Sequence, residues 1–200
     1  MKKNFIMKFG IGTSQYIKNY GVLKKNIDKK NLIKIIQNYT KNIDLIDTAP
    51  SYGNAEKIIG LHFNKKIKIV SKIGKIKTKK ISRKFLEIER SIQNTLNNLN
   101  TKKIYGLLFH NTDDIKILKN KELRSKFDYI IKKYVRKIGF SCYEIYNIEK
   151  FLKIYNFDII QLPLNVFNIN KKKINFLKKI KKKYKVELHI RSIFFARTVY

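Results

Sequence analysis

Four side chains of this sequence, Asp47, Tyr52, Lys72 and His110, have the types that the reduction of a carbonyl group requires. A tyrosine hydroxyl can protonate a developing alkoxide, but with a pKa of about 10 it is a weak acid at neutral pH. A lysine ammonium about 4 Å away, at an effective dielectric of about 20, favours the phenolate by about 4 kcal/mol. This attraction is worth up to about three pKa units and moves the hydroxyl towards the range useful in acid catalysis.

Asp47 and His110 complete this chemistry. A lysine beside the tyrosine would be a buried cation and needs a carboxylate partner, which is the role expected of Asp47. His110 can donate a hydrogen bond to the carbonyl oxygen and orient it. Ordinary structural roles are the alternatives: Asp47 as a helix N-cap, Tyr52 as one of 12 tyrosines, and His110 as a core histidine. Because the chain is rich in lysine, Lys72 is a candidate only because of its position at the end of a strand.

Short runs of β-branched and other apolar residues recur along the chain and predict seven strands. These runs are at 8–13, 43–47, 67–72, 104–110, 135–141, 157–162 and 186–192. Hydrophobic residues three or four positions apart predict helices between most of them, around 32–36, 85–99, 145–152 and 174–180. Strands that alternate with helices indicate right-handed crossovers and a parallel α/β sheet.

Polar residues collect where these strands end: Asp47, Lys72, His110, Ser141, Gln161 and Ser192, with Tyr52 in the loop after the second strand. In a parallel barrel all of these ends share one rim, which is where active sites lie. An open doubly wound sheet is the alternative, but it should carry a three-glycine turn after its first strand. The turn here, from Gly10 to Gln15, has two glycines. We therefore favour a barrel.

The segment from Asp47 to Gly60 resembles the signature of the aldo-keto reductase family: Asp-Thr-Ala, a short gap, Tyr-Gly, an acidic residue and a glycine. Val70-Ser71-Lys72 is similar to the family's third-strand lysine, and Leu107–His110 to its fourth-strand histidine. Ile138-Gly139-Phe140-Ser141-Cys142 resembles the fifth-strand Gly-x-Ser-Asn, and Ile160-Gln161 the sixth-strand glutamine. The resemblance runs from about Phe9 to Phe194. It implies a TIM-type (β/α)8 barrel, with residues 1–200 as one domain.

The resemblance implies an oxidoreductase that reduces an aldehyde or ketone with a hydride from NADP(H), with NAD(H) as the alternative. Tyr52 would be the general acid and Lys72 its partner. Asp47 would be the partner of Lys72, and His110 would orient the carbonyl. The residues implied in cofactor binding are Thr13, Asp47, Ser141, Cys142, Gln161, Arg191 and Ser192. The segment 10–21 also resembles a bacterial subgroup found near surface-sugar biosynthesis, which points to a sugar-related carbonyl substrate.

Two positions depart from the family's pattern. Cys142 stands where the family usually has asparagine, and a thiol is a poor hydrogen-bond donor to the nicotinamide carboxamide. We expect this thiol to be a packed side chain rather than a nucleophile. Arg191 stands where many members have the aromatic residue that stacks on the nicotinamide. Its guanidinium plane would either stack there instead or pair with an acidic substrate.

The 200 residues are fewer than the family usually has, and the expected barrel lacks its eighth strand and the helix after it. Three explanations are open. The gene is truncated or frameshifted near Phe195, the seven strands close imperfectly on themselves, or two chains pair as a homodimer through the open edge. We favour the first. A degraded reductase with weak or no activity is therefore the first alternative to an active enzyme.

The formal net charge of +32 comes from 46 Lys and Arg against 14 Asp and Glu. It suggests a second alternative, a basic protein that binds nucleic acid or an anionic surface. The cations are spread along the chain and only six are arginines, while the many Lys, Ile and Asn residues indicate genome composition bias. We favour bias over nucleic acid as a partner, although a positive field still attracts an anionic cofactor.

Other features of the sequence limit the class of protein to which it can belong. No apolar run reaches the roughly 18 residues of a membrane span, so no membrane is expected as a partner. The N-terminal segment has no signal-peptide core, and the lone Cys142 excludes an internal disulfide; both favour the cytoplasm. No group of His, Cys or carboxylates has metal-site spacing, so we expect no metal. We interpret His62 and His189 as structural.

Overall fold

The computed structural model describes residues 9–14, 29–39, 43–62, 67–78 and 80–193. Its strands are β1 Gly10–Gly12, β2 Leu45–Asp47, β3 Lys68–Ile73, β4 Ile104–Phe109, β5 Val135–Ser141, β6 Ile159–Pro163 and β7 Glu187–Arg191. Its helices are α1 Lys29–Tyr39, α2 Ala55–His62, α3 Ile81–Asn98, α4 Lys121–Tyr134, α5 Ile148–Leu152 and α6 Lys171–Tyr184. Two 3₁₀ helices occupy Thr112–Lys119 and Ile145–Asn147.

The seven strands form one parallel sheet in the order of the chain, from β1 to β7. The sheet curls into a nearly closed barrel flanked by helices, which confirms the expected incomplete (β/α)8 architecture. Within the described ranges β1 pairs with β2 alone and β7 with β6 alone, so no eighth strand joins them there. The proposed start of the first strand at Lys8 and the expected break near Phe195 lie outside the described residues.

Two of the described α-helices were not predicted from the sequence. α4 buries Leu123, Phe127, Ile130 and Ile131, whose spacing is helical and would have been sufficient to predict it. α2 has only 8 residues, and its buried set includes the charged Glu56, so its apolar periodicity is weak. The helix expected around 145–152 begins as a 3₁₀ turn and continues as α5.

The interior of the barrel is apolar below its rim. Val70, Leu108 and Ile159 are fully buried there and pack together, apart from the larger hydrophobic layer between sheet and helices. Successive side chains of a strand face opposite sides of a sheet. Lys72 therefore shares the inner face of β3 with Val70, whereas Ser71 faces the helices. This alternation places the lysine at the rim, directly above the apolar cluster in the barrel interior.

The opposite end of the barrel contains an ion cluster around Glu187. Its carboxylate accepts a hydrogen bond from Tyr105 at 2.6 Å and contacts Lys137 at 2.5 Å and His189 at 3.1 Å. The hydrogen bond with His189, followed by those from Lys137 and Tyr105, holds the pKa of Glu187 well below its usual range. His189 therefore contributes to this structural cluster through its contact with Glu187.

Gly139 of β5 packs tightly against Ile159 of β6. A Cβ built at this position would lie 2.2 Å from the carbonyl oxygen of Ile159. We expect Gly139→Ala to lower the free energy of unfolding in urea by about 1–3 kcal/mol, because one strand must shift. Gly12→Ala is the matched control, since a Cβ at Gly12 meets nothing within 4 Å. Equal losses in the two variants would contradict this account of the contact.

Candidate active site

Lys72 and Asp47 form a buried ion pair at the rim. The Lys72 side chain is 1% exposed and that of Asp47 18%. Nζ of Lys72 lies 2.9 Å from each carboxylate oxygen of Asp47 and donates a third hydrogen bond to the carbonyl oxygen of Thr48 at 2.8 Å. Burial lowers the pKa of Lys72, and the negative charge of Asp47 opposes this effect. The carboxylate is thus the group that favours the charged ammonium.

Tyr52 lies beside this ammonium. The tyrosine follows β2 in a turn, where its backbone N–H donates to the carbonyl oxygen of Ala49 at 3.0 Å. Nζ of Lys72 lies 4.9 Å from the centroid of the Tyr52 ring. The structure therefore brings together the lysine and the tyrosine that the sequence places twenty residues apart along the chain.

His110 approaches Tyr52 from the end of β4. The two ring centroids are 6.2 Å apart and the rings are nearly perpendicular, at 86°. Partial burial lowers the pKa of His110, and the positive charge of Lys72 lowers it further. The lowered pKa favours the neutral imidazole, which has one N–H to donate.

Gln161 reaches Asp47 from the other side of the barrel. Its Nε2 donates to Oδ1 of Asp47 at 2.8 Å, although the two residues are 114 positions apart. Its Oε1 is buried and has no hydrogen-bond partner within the described part of the chain. A buried acceptor without a donor costs free energy, so this oxygen is suited to receive an N–H from a ligand.

The hydrogen-bonding groups of Thr13 are engaged by other residues of the protein. Its backbone N–H and its hydroxyl both lie within hydrogen-bond distance of the carbonyl oxygen of Asp47, at 3.0 and 3.2 Å. The same hydroxyl lies 3.0 Å from that of Thr48. The residue is buried, so what the geometry indicates is support for the Asp47 backbone.

Ser141 and Cys142 close β5 beside Gln161. Ser141 is in register with Gln161, and the backbone N–H of Cys142 donates to the Gln161 carbonyl oxygen at 2.9 Å. Both side chains are buried. The structure therefore places the fifth-strand and sixth-strand candidates next to each other.

Arg191 and Ser192 lie at the end of β7. Arg191 is in register with Pro163, and its guanidinium carbon lies 4.4 Å from the centroid of the Tyr143 ring. Ser192 has a left-handed backbone with φ of 57°, which turns the chain away from the strand. Neither Tyr143 nor this stacking was foreseen from the sequence, because nothing in the local pattern pairs the two positions.

Glu56 is a further site residue that sequence reasoning left without a role. Its buried carboxylate accepts hydrogen bonds from Ser71 at 2.6 Å, Thr95 at 3.1 Å and Asn98 at 3.2 Å. These bonds tie α2 to β3 and α3, and α2 directly follows the turn that carries Tyr52. Two features of the sequence could have indicated this role: the acidic residue in the motif from Asp47 to Gly60, and the serine before Lys72.

Burial raises the pKa of the Cys142 thiol to about 11, so the reactive thiolate is scarce at neutral pH. We expect iodoacetamide to alkylate the native chain roughly a hundredfold more slowly than the urea-unfolded chain at mildly alkaline pH, because an unperturbed thiol has a pKa of about 8.5. Mass spectrometry measures both rates, with a short cysteine peptide as the control for the effect of urea. Similar rates in the two states would contradict a buried, protonated thiol.

Within the described ranges, no three His, Cys, Asp or Glu side chains are grouped so that they could hold a metal ion. The expectation of no metal stays a prediction. None of the helices in those ranges is both long enough and apolar enough to cross a bilayer.

Residues 8–188 match the model of the Aldo/keto reductase family. A protein assigned as an aldo-keto reductase from Pseudomonas aeruginosa has a similar structure, with a TM-score of 0.71 and 20% identity over 92% of this chain and 72% of that chain. An aldo-keto reductase from Bacillus halodurans, in its holo form, has a TM-score of 0.70 and 19% identity over 92% and 61% of the two chains. For a glycerol dehydrogenase from Gluconobacter oxydans the values are 0.61 and 21%, over 90% and 58%.

These structural likenesses show the fold alone, because the identities are low. The chain spans 58% to 72% of the lengths of these three structures. No curated protein matches the sequence at a significant level.

Proposed function

The chain belongs to the aldo/keto reductase family, and on that basis we propose that it is an oxidoreductase that reduces an aldehyde or ketone to an alcohol. The proposed hydride source is NADP(H), with NAD(H) as the alternative, and the proposed proton source is the hydroxyl of Tyr52. One observation carries the proposal. The buried Lys72 ammonium, held by the Asp47 carboxylate at 2.9 Å, lies 4.9 Å from the centroid of the Tyr52 ring.

Tyr52 is the group that moves the proton in this proposal. Its hydroxyl gives a proton to the carbonyl oxygen, and the positive charge of Lys72 stabilises the phenolate that remains. Asp47 acts through Lys72, because its negative charge opposes the loss of the ammonium proton that burial favours. Removing either member of the ion pair would therefore weaken the acid.

His110 orients the carbonyl oxygen. A neutral imidazole donates one N–H without competing as the acid, and the lowered pKa of His110 favours this neutral form. The perpendicular rings are compatible with both groups addressing one oxygen. Two donors on the same oxygen would polarise the carbonyl as negative charge develops.

The residues of β5 and β6 fit the nicotinamide end of the cofactor, which supplies the hydride when bound. The unpaired Oε1 of Gln161 can accept from a carboxamide N–H, and Ser141 is its neighbour in register. Thr13 and Cys142 fit less well, because the Thr13 hydroxyl already has partners in the protein and a thiol is a weak donor. Asp47 and Ser192 remain in the proposed set around the cofactor, and Arg191 either joins them by stacking on the nicotinamide or pairs with an acidic substrate.

Two measurements on the purified chain test the proposed function. Titration with NADPH and with NADH, followed by cofactor fluorescence, measures binding and decides between the nucleotides. Oxidation of the bound nucleotide, followed by ultraviolet absorbance across a broad panel of aldehydes, ketones and sugars, measures turnover. We expect a change in fluorescence and carbonyl-dependent oxidation. A folded chain that neither binds a nucleotide nor oxidises it would overturn the proposal and favour a degraded reductase.

A further inference from the structure

Arg191 is a cation at the rim that the proton-transfer chemistry above does not use. It is the last residue of β7, and its carbonyl oxygen accepts a hydrogen bond from the backbone N–H of Leu164 at 3.1 Å. Its guanidinium carbon lies 4.4 Å from the centroid of the Tyr143 ring, in the loop after β5. Both its backbone and its side chain are therefore held in place, above the end of β6.

No carboxylate neutralises this guanidinium within the described ranges. Asp47, the carboxylate nearest to the proposed chemistry, is already paired with Lys72 and accepts a hydrogen bond from Gln161. The positive charge of Arg191 is close enough to lower the pKa of both Lys72 and His110. Arg191 thus adds positive charge to the rim near Lys72 and His110, and no anion of the described ranges forms an ion pair with it.

The stacking geometry suits an anion at the edge of the guanidinium. The guanidinium carbon lies over the Tyr143 ring, and a guanidinium that contacts an aromatic face in this way keeps N–H donors available for a second partner at its edge. A carboxylate matches this fork with two parallel hydrogen bonds, and a phosphate oxygen pair can do the same. A nicotinamide ring is a poorer neighbour, because it has no anionic group and is cationic in its oxidised form.

We propose that Arg191 binds an anionic group of the substrate, so that the preferred substrates are aldehydes or ketones that also carry a carboxylate or a phosphate. This inference rests on the proposed function and adds a substrate class to it. In the reaction the hydride adds to the carbonyl carbon and the Tyr52 proton goes to the oxygen. The nicotinamide nucleotide is oxidised, and the anionic group stays bound to Arg191 unchanged.

The test compares an acid with its own neutral ester. The substrates are para-carboxybenzaldehyde and its methyl ester, which differ in charge but present the same aldehyde. We expect the wild-type chain to favour the acid in kcat/KM by roughly tenfold to a hundredfold, the value of a charge-assisted hydrogen bond. Arg191→Met should remove most of this preference, and Arg191→Lys should retain part of it. Glyceraldehyde phosphate against glyceraldehyde repeats the comparison for a phosphate.

Arg136→Met is the matched control. Arg136 is exposed and lies near the start of β5, at the end of the strand away from the rim. The acid-to-ester ratio should be the same in this variant as in the wild type. The ratio also cancels any effect of Arg191 on the cofactor, because both substrates meet the same nucleotide complex. If Arg191→Met lowers both rates equally, the arginine serves the cofactor and the proposal is overturned.

A binding measurement separates this proposal from the proposed function. If the chain binds no nucleotide and turns over no carbonyl of the broad panel, the proposed function fails, but calorimetry with para-(hydroxymethyl)benzoate and its methyl ester still tests Arg191. We expect the acid to bind the wild-type chain roughly tenfold or more tightly than it binds Arg191→Met. Two results would rule out an anion site at Arg191. The first is that the acid binds the wild type and Arg191→Met with equal affinity. The second is that the wild type prefers neither the carboxylate nor the phosphate substrate over its uncharged counterpart.

Discussion

Tyr52→Phe is expected to lower kcat for carbonyl reduction by roughly a hundredfold to ten-thousandfold, the usual contribution of a general acid. The substitution removes one oxygen and keeps the ring, whose centroid lies 4.9 Å from the Lys72 ammonium and whose plane is nearly perpendicular to that of His110. Binding of the nucleotide and the free energy of unfolding should change little. Steady-state kinetics with the best substrate of the panel measure the effect, and cofactor fluorescence shows whether binding is preserved.

Tyr129→Phe is the matched control for this substitution. Tyr129 is 70% exposed on α4 and loses the same atom, so kcat should stay at the wild-type value. A Tyr52→Phe variant that retains wild-type kcat would show that another group supplies the proton. His110 would then be the first residue to examine, because its ring centroid lies 6.2 Å from that of Tyr52.

Asp47→Asn is expected to lower the free energy of unfolding by about 3–5 kcal/mol, the typical cost of leaving one member of a buried ion pair without its partner. The Lys72 ammonium is 1% exposed and lies 2.9 Å from both carboxylate oxygens. An amide cannot balance its charge, and Gln161 would face an amide where it now faces a carboxylate. Urea unfolding at neutral pH measures the loss.

The double variant Asp47→Asn/Lys72→Met tests whether the loss comes from the stranded charge. Removing the ammonium should restore a large part of the stability lost in Asp47→Asn, as expected for two coupled residues. Asp113→Asn, which breaks the fully exposed pair with Lys116, should leave the midpoint of unfolding unchanged. If the stability lost in the double variant equals the sum of the losses in Asp47→Asn and Lys72→Met, the pair does not couple as its geometry indicates.

The fold could be predicted largely because its signals are local. β-branched runs and three-four spacing follow from the geometry of the strand and the helix, so seven strands and three of the longer helices were expected at their places. α2 was not predicted because a buried Glu56 interrupts its apolar face. This carboxylate is stable there because of donors on β3 and α3, which no short stretch of sequence contains.

The sequence by itself determined which residue types stand at the ends of the strands, and hence that Asp47, Lys72 and His110 would share one rim. Only the tertiary structure decided which atoms meet there. Gln161 faces Asp47, Thr13 turns its hydroxyl to Thr48, and Arg191 stacks on Tyr143. These contacts join strands or loops far apart in the chain, and they depend on the curvature of the sheet and on its register.

A register shift of one residue would turn every inner side chain outward. The positions of the chemical groups are therefore a property of the sequence pattern, whereas their hydrogen bonds and the contact of Arg191 with Tyr143 result from the packing of the barrel.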